Sequence, residues 1–355
     1  MNALGEQIRE HIRQHGPMPF AEYMSRALYD PIHGYYRHAG DQIGKRGDFF
    51  TSVSVGSFFG ELLAFQFARW FEAMQEPASV FQIVEAGAHD GQLAHDVLKT
   101  FEQHEAALFR TVEYWIVEPS ANWRAAQQAT LADFKNVRWF EKISEIQNRV
   151  RGVIFSNELL DAMPVHPFAW NVSRRCWEEL GVTIRDDSLA WTRLPSSTIR
   201  PPELPELLLE VLPDGYIVEL SPAAIQWWQS AASALVSGKL VAIDYGGTFE
   251  EMLSPGRISG TLRAFTKHHT SADVLVNPGE QDITAHVNFF EVQRAGEASG
   301  LKTNGFTTQS QFLTEIAREL WTRRGSWPEN QVRQFQTLTH LEHLGRLFRI
   351  LIQAR

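Results

Sequence analysis

Within FQIVEAGAHDGQLAHDVL, residues 81 to 98, the hydrophobic period changes midway and glycines mark the change. Phe81, Ile83 and Val84 form a short apolar run ending at Glu85, the pattern of a strand buried in a parallel sheet. Gly87 and Gly91 then bracket a turn, after which Leu93, Ala94, Val97, Leu98 and Phe101 recur at helical spacing. A strand, a tight turn and a helix in that order hold the chain to an α/β architecture. Such a turn aims the free N–H groups of a helix N-terminus at whatever lies beyond the strand end, and its glycines let a ligand come close. That geometry suits a nucleotide or a nucleoside. The spacing is ExGxxxG and not GxGxxG, so the pyrophosphate fingerprint is missing, and an ordinary strand-to-helix connection would read much the same way.

The next strand, VEYWIV at 112 to 117, stops at Glu118. An acid there is placed to accept hydrogen bonds from both ribose hydroxyls of an adenosine; its plainer reading is a surface acid at a strand end. Glu85 with Gly87 and Gly91, followed by Glu118, resembles the cofactor site of class I S-adenosylmethionine-dependent methyltransferases. That family has no pyrophosphate to cradle. The resemblance implies that Glu85, Gly87, Ala88, His89, Gly91, Glu118 and Pro119 line S-adenosyl-L-methionine.

The 355 residues, 44% of them hydrophobic, can bury a large core, and length alone allows two domains. The single cysteine, Cys176, excludes an internal disulfide and a cysteine-rich metal site and fits a reducing compartment. A formal charge of −9 disfavours a nucleic-acid partner and mildly favours a cationic substrate. No run approaches the roughly 18 apolar residues of a membrane span. MNALGEQIREHIRQHG lacks an apolar signal core and carries Glu6 and Glu10, so the chain reads as cytosolic.

Leu4, Ile8 and Ile12 mark a short amphipathic helix closed by Gly16, Pro17 and Pro19, and a second helix in PFAEYMSRALYDPIHGYY closes at Asp30 and Pro31. HAGDQIGKRGDFFTSVSVG reads as a loop anchored by Phe49 and Phe50, followed by a long helix over 57–74. Strands end near Glu85, Glu118, Phe140, Phe155 and Asp244, alternating with helices in the early part, which predicts a mostly parallel sheet with its ligand at the carboxyl ends. VHPFAW, RRCWEELGVTI and SLAWTRL break the alternation as antiparallel strands with a turn at 185–187. Residues 246–288 show little periodicity and read as a long functional loop. The chain end, GRLFRILIQAR, reads as a strand with exposed arginines.

GDFFTSVSVGSFFGELLA, EAGAHDGQLAHDVL, SNELLDAMPVHPF, GTLRAF, NPGEQDITAHVNF and GRLFRIL together resemble the NDUFAF7/MidA family of S-adenosylmethionine-dependent methyltransferases, from about Phe20 to the end. NELLDAMP and PGEQDITAHVNF are far more specific to it than the glycine turn. The resemblance implies a class I methyltransferase (Rossmann-like) fold, with a cap and lid loop at 1–78 and a catalytic domain at 79–355 carrying insertions at about 165–200 and 246–288. It also implies methylation of a protein arginine, as in mitochondrial members acting in respiratory complex I assembly. This chain departs from the family pattern at His89, where a third glycine is usual, at Val53 and Ser54, where a Pro-Glu pair is usual, and at Asn288, where an acid is usual.

An arginine acceptor is cationic and planar, so its site needs carboxylates to orient it. Glu158 and Asp161 in NELLDAMP, three apart, could share one face of a helical turn and clamp such a fork; as plain structure they would be a helix-start acid and a cap. Asn157 is placed to meet the adenine or the methionine end, or else is a turn residue. Thr51 and Ser52, with Asp48, belong to the proposed lid and could close over the cofactor, while Lys45 and Arg46 read as a solvated turn. Asp282, Thr284 and His286 suggest a substrate-channel wall, with His286 counted among the catalytic candidates; a structural histidine is the commoner fate. His268 and His269 lack partners at ligand spacing, so no metal is expected. Two other readings stay open: a non-catalytic assembly or scaffold protein on the same fold, and an NAD-dependent oxidoreductase, which needs the missing fingerprint. A homodimer is not excluded.

Overall fold

The computed structural model describes residues 2–37, 51–74, 80–266, 269–342 and 344–355. The loop carrying Lys45, Arg46, Asp48, Phe49 and Phe50 lies outside these residues, as does His268. In chain order the elements are α1 (Ala3–His15), β1 (Met18–Pro19), α2 (Phe20–Tyr29), α3 (Ser52–Val55), α4 (Phe58–Glu72), β2 (Phe81–Ala86), α5 (Gln92–His104), α6 (Ala106–Phe109), β3 (Val112–Val117), α7 (Ala121–Thr130), β4 (Val137–Phe140) and β5 (Val150–Asn157). There follow β6 (His166–Asn171), β7 (Cys176–Arg185), β8 (Ser188–Arg193), α8 (Glu206–Leu209), β9 (Ile217–Leu220), α9 (Pro222–Ala234), β10 (Leu235–Gly247), α10 (Phe249–Met252), β11 (Arg263–Thr266), β12 (His269–Ser271) and β13 (Asp282–Thr284). The last are β14 (Val287–Asn288), α11 (Phe289–Ala298), β15 (Lys302–Thr308), α12 (Gln309–Arg324), α13 (Glu329–Thr339), α14 (Leu344–Leu347) and β16 (Phe348–Ala354).

These elements form two compact units, one of 1–38, 161–225 and 247–290, the other of 39–160, 226–246 and 291–355. The division cuts across the 78/79 boundary drawn from the sequence. In the second unit the sheet runs β15-β16-β10-β5-β2-β3-β4. From β10 to β4 all neighbours are parallel, and β16 is antiparallel to both β10 and β15. Strand order reverses beside β2, with β3 on one side and β5 on the other, which opens a crevice at their carboxyl ends. One face is covered by helices: Phe59, Leu62 and Phe65 of α4, Leu93 and Val97 of α5, and Leu313 and Ile316 of α12 join Ile83, Ile116, Phe155 and Ile243 in one core. Close strand approach dictates Gly152, because a Cβ there would stand 2.1 Å from Gln82 O.

In the first unit α1 and α2 bury Leu4, Ile8, Tyr23 and Leu28 with Ala162, Val165 and Ile283. The antiparallel strands expected around 165–195 are present as β6, β7 and β8, joined by β1 and β9. Three expectations need correction. Residues 246–288 are not one loop: β11 pairs antiparallel with β12 and β13, a short sheet whose strands of three or four residues are too brief to leave a period in sequence. NELLDAMP starts no helix, since Glu158 takes a left-handed conformation (φ 54) straight after β5. GRLF opens in α14, and the terminal strand is interior, burying Phe348, Ile350 and Leu351 between β10 and β15.

Candidate functional site

At the carboxyl end of β2, Glu85 is 3% exposed and accepts a 2.6 Å hydrogen bond from the Tyr114 hydroxyl of β3. Burial pushes its carboxyl up to about 7; the tyrosine bond opposes this and nearby Asp90 adds to it. Gly87 (φ 72) and Gly91 (φ 84) hold the turn in conformations that a side chain would strain. A Cβ on Gly87 would also meet Leu159 Cδ1 at 3.0 Å. Gly91 is the left-handed N-cap of α5, which leaves that helix's first N–H groups facing the turn. Ala88 is buried, and His89 (φ 48) packs its ring on Trp123 with centroids 4.1 Å apart.

Glu118, just past β3, is 6% exposed rather than a surface acid. Burial raises its carboxyl, while Ser120 N (2.9 Å to Oε1), the Gln127 amide (3.3 Å to Oε2) and the charge of Arg124 favour ionisation. Arg124 also binds the carbonyls of Glu118 and Pro119, fixing the strand-to-helix turn. Gln127 is a site residue that sequence reasoning missed. It is fully buried in α7, donates to His89 O at 2.8 Å and to Glu118, and accepts from Trp139 Nε1 at 3.1 Å. Its only sequence signal is a polar residue on a helix face that also buries Trp123.

Asn157 ends β5 and donates to Glu158 Oε1 at 3.0 Å. Its buried Oδ1, Ser156 Oγ and His89 Nε2 all lack a hydrogen-bond partner among the described residues. Buried polar atoms are seldom left unmade, so unpaired atoms on either side of the sheet crevice fit a bound polar ligand. Asp244 of β10, fully buried, fixes the segment after β5 by accepting from Leu159 N (3.1 Å) and Leu160 N (2.8 Å).

Glu85, Gly87, Ala88, His89, Gly91, Glu118, Pro119 and Asn157 therefore meet at neighbouring strand ends. Of the other predicted residues, Glu158 joins them through the Asn157 amide. Thr51 caps α3 through a capping box, and Ser52 Oγ donates to Gln309 Oε1 at 3.1 Å. Glu158 and Asp161 lie on no helix, so the expected one-face clamp does not form. In the first unit Asp161 is 5% exposed and its carbonyl accepts from Ala285 N at 2.9 Å. Asp282, equally buried, accepts from the Tyr36 hydroxyl at 2.8 Å. Burial first, then Asp282, Tyr29 and Asp161, hold that hydroxyl well above its ordinary range, so both carboxylates bear on one tyrosine. His286 is half-buried beside Arg257, and burial followed by the charges of Arg257 and Arg263 lowers its pKa to about 4. Among the described residues no cluster of metal ligands is present and no helix is long and apolar enough to cross a membrane.

Residues 62–307 match a family described as "Putative S-adenosyl-L-methionine-dependent methyltransferase". The protein arginine methyltransferase NDUFAF7, mitochondrial, of Mus musculus is 31% identical, over 86% of this chain and 72% of its own length. The human protein of the same name is 30% identical, over 86% and 71%. A crystal structure from Burkholderia thailandensis bound to S-adenosyl-homocysteine superposes with a TM-score of 0.84 at 31% identity, covering 99% of this chain and 92% of that one. The class I methyltransferase fold is thus the one found. The cytosolic reading is overturned, because these curated relatives are named mitochondrial and absence of an apolar signal core did not distinguish the two compartments. With this sheet, this turn and these matches, the chain belongs to the NDUFAF7/MidA family of S-adenosyl-L-methionine-dependent methyltransferases.

Proposed function

We propose that the chain methylates an arginine side chain of a protein substrate. The curated relatives carry that activity in their names. The observation that carries the reading is the pair of buried carboxylates, Asp161 and Asp282, bearing on Tyr36 within one unit. Buried acids suit a guanidinium, which needs its charge offset and its plane fixed by carboxylate oxygens. When bound, the cofactor supplies an electrophilic methyl group on a sulfonium. The protein has to align the acceptor, exclude water and receive the proton that the acceptor nitrogen sheds; Asp161 and Asp282 are the groups we assign to orientation and to that proton.

On the cofactor side we assign the ribose hydroxyls to Glu118, the methionine amine to Glu85, and further polar contacts to Asn157, Ser156 and His89. Glu158, half-buried at the end of β5, is assigned to this side too. Thr51 and Ser52, the role of residues 1–78 as a cap and that of the insertions rest on the family resemblance alone. The test is transfer of labelled methyl to arginine-bearing proteins, followed by hydrolysis and amino-acid analysis. Methylarginine is expected, with Asp161→Asn and Asp282→Asn each lowering the rate roughly 100-fold or more at unchanged S-adenosyl-homocysteine affinity. Label on lysine alone, or none from folded protein, would overturn the reading.

A further inference from the structure

The first unit also carries cationic groups for which the described residues provide no carboxylate. Arg257 is half-buried; its Nη1 donates to His286 Nδ1 at 3.1 Å and approaches Met252 Sδ at 3.4 Å. Arg263, half-buried at the start of β11, donates to its neighbour's carbonyl, Leu262 O, at 2.6 Å. Neither makes an ion pair among the described residues, although most other arginines in this unit do. The nearby acid, Glu219, is buried and turned to the backbone, accepting from Thr261 N at 2.6 Å and Leu262 N at 3.3 Å. His286 is held in place by its own N–H, which donates to Thr261 Oγ1 at 3.0 Å. With Arg257 donating into Nδ1, the neutral ring carries its proton on Nε2 and is a donor there. Two guanidiniums and an imidazole N–H thus lie together with no ion-pairing acid among the described residues.

Partly buried charges without a counter-ion are costly, and a guanidinium fork matches a carboxylate in two parallel hydrogen bonds. We propose that Arg257, Arg263 and His286 form a subsite for a carboxylate, supplied by an acidic side chain of the protein substrate close to the methyl acceptor. The assignment rests on the protein-substrate reading above. Register supports one continuous substrate surface: Arg263 lies opposite Thr284 and Phe265 opposite Asp282, so the basic group and one acceptor-side acid share the β11–β13 ladder.

The experiment is fluorescence anisotropy with labelled peptides in the presence of saturating S-adenosyl-homocysteine. One peptide has a central arginine flanked by glutamates, the second has glutamines in their place, and the third keeps the glutamates but has alanine for the arginine. Wild type should bind the glutamate peptide about tenfold tighter than its glutamine analogue. Arg257→Gln and Arg263→Gln should each bring that ratio below about threefold, with S-adenosyl-homocysteine affinity and thermal midpoint unchanged. Arg263→Lys, which keeps the charge and loses the fork, should retain part of it and serves if the glutamine variant does not fold. The third peptide separates the two readings, since its glutamates should still be recognised even if arginine is not the acceptor. Equal binding of the glutamate and glutamine peptides by wild type would overturn the subsite. So would loss of S-adenosyl-homocysteine affinity in the variants, which would assign the guanidiniums to the cofactor's own carboxylate, or full displacement of the peptide by millimolar inorganic phosphate.

Discussion

The Tyr114 hydroxyl, from the middle of β3, donates a 2.6 Å hydrogen bond to Glu85 Oε2 at the carboxyl end of the neighbouring β2. Glu85 is raised to about 7 from an ordinary 4.5, so in the free protein it holds a proton that the unfolded chain releases earlier. Its contribution to stability is complete below about pH 4.5 and is lost as pH rises through about 7. Glu85→Gln should therefore flatten the fall in stability between pH 5 and 8, by an amount on the order of 3 kcal/mol, in urea titrations across that range.

Cofactor binding should move the same proton. A cationic amine beside Glu85 favours its ionised form, so binding of S-adenosyl-homocysteine at pH 6 should release a proton and affinity should rise from pH 5 to 7. Calorimetry in buffers of different ionisation enthalpy reads the release directly. Zero release from wild type, or an equal release from Glu85→Gln, would remove Glu85 from the amine.

Gln127 joins His89 O, Glu118 Oε2 and Trp139 Nε1 through one buried amide. Gln127→Leu should cost about 2–3 kcal/mol of stability, because it leaves those groups unpaired. It should also weaken S-adenosyl-homocysteine binding by roughly tenfold through a loosened Glu118. A stability loss with unchanged affinity would show that the amide only holds the fold.

Asp244→Ala should cost about 3–4 kcal/mol, since Leu159 N, Leu160 N and Tyr245 N all lose their acceptor. Its thermal midpoint should fall well below that of Glu118→Ala, which loses only its bonds to Ser120 N and Gln127 and whose main defect should be a cofactor affinity lower by about 1–3 kcal/mol.

His89→Gly tests the chain's own departure in the turn. Glycine suits the left-handed backbone better, but the contact with Trp123 and the unpaired Nε2 disappear. Stability should change by less than about 1 kcal/mol, while S-adenosyl-homocysteine affinity should fall severalfold. Unchanged affinity would exclude a cofactor contact from this ring.

The amino-acid sequence by itself determined the parallel strands at 81–86 and 112–117, the turn at Gly87 and Gly91, and Glu118 as the acid of the second strand end. Those features are written locally, in hydrophobic period and in the backbone freedom of glycine, so no distant residue is needed to read them. The rest was decided by tertiary structure. Gln127 reaches the site because α7 packs over the ends of β2 and β3, and its own stretch sets it apart from Gln128 only by its place on the face that carries Trp123. Glu158 and Asp161 are spaced as a pair on one helical face, but the chain turns left-handed at Glu158 and Asp244, more than eighty residues on, anchors the following non-helical segment through Leu159 N and Leu160 N. Asp161 and Asp282 stand 121 positions apart in sequence and bear on one tyrosine only because the first unit folds its distant segments into a single core. Sequence spacing reports neighbours along one element, and a site assembled from several elements depends on packing that no single stretch contains.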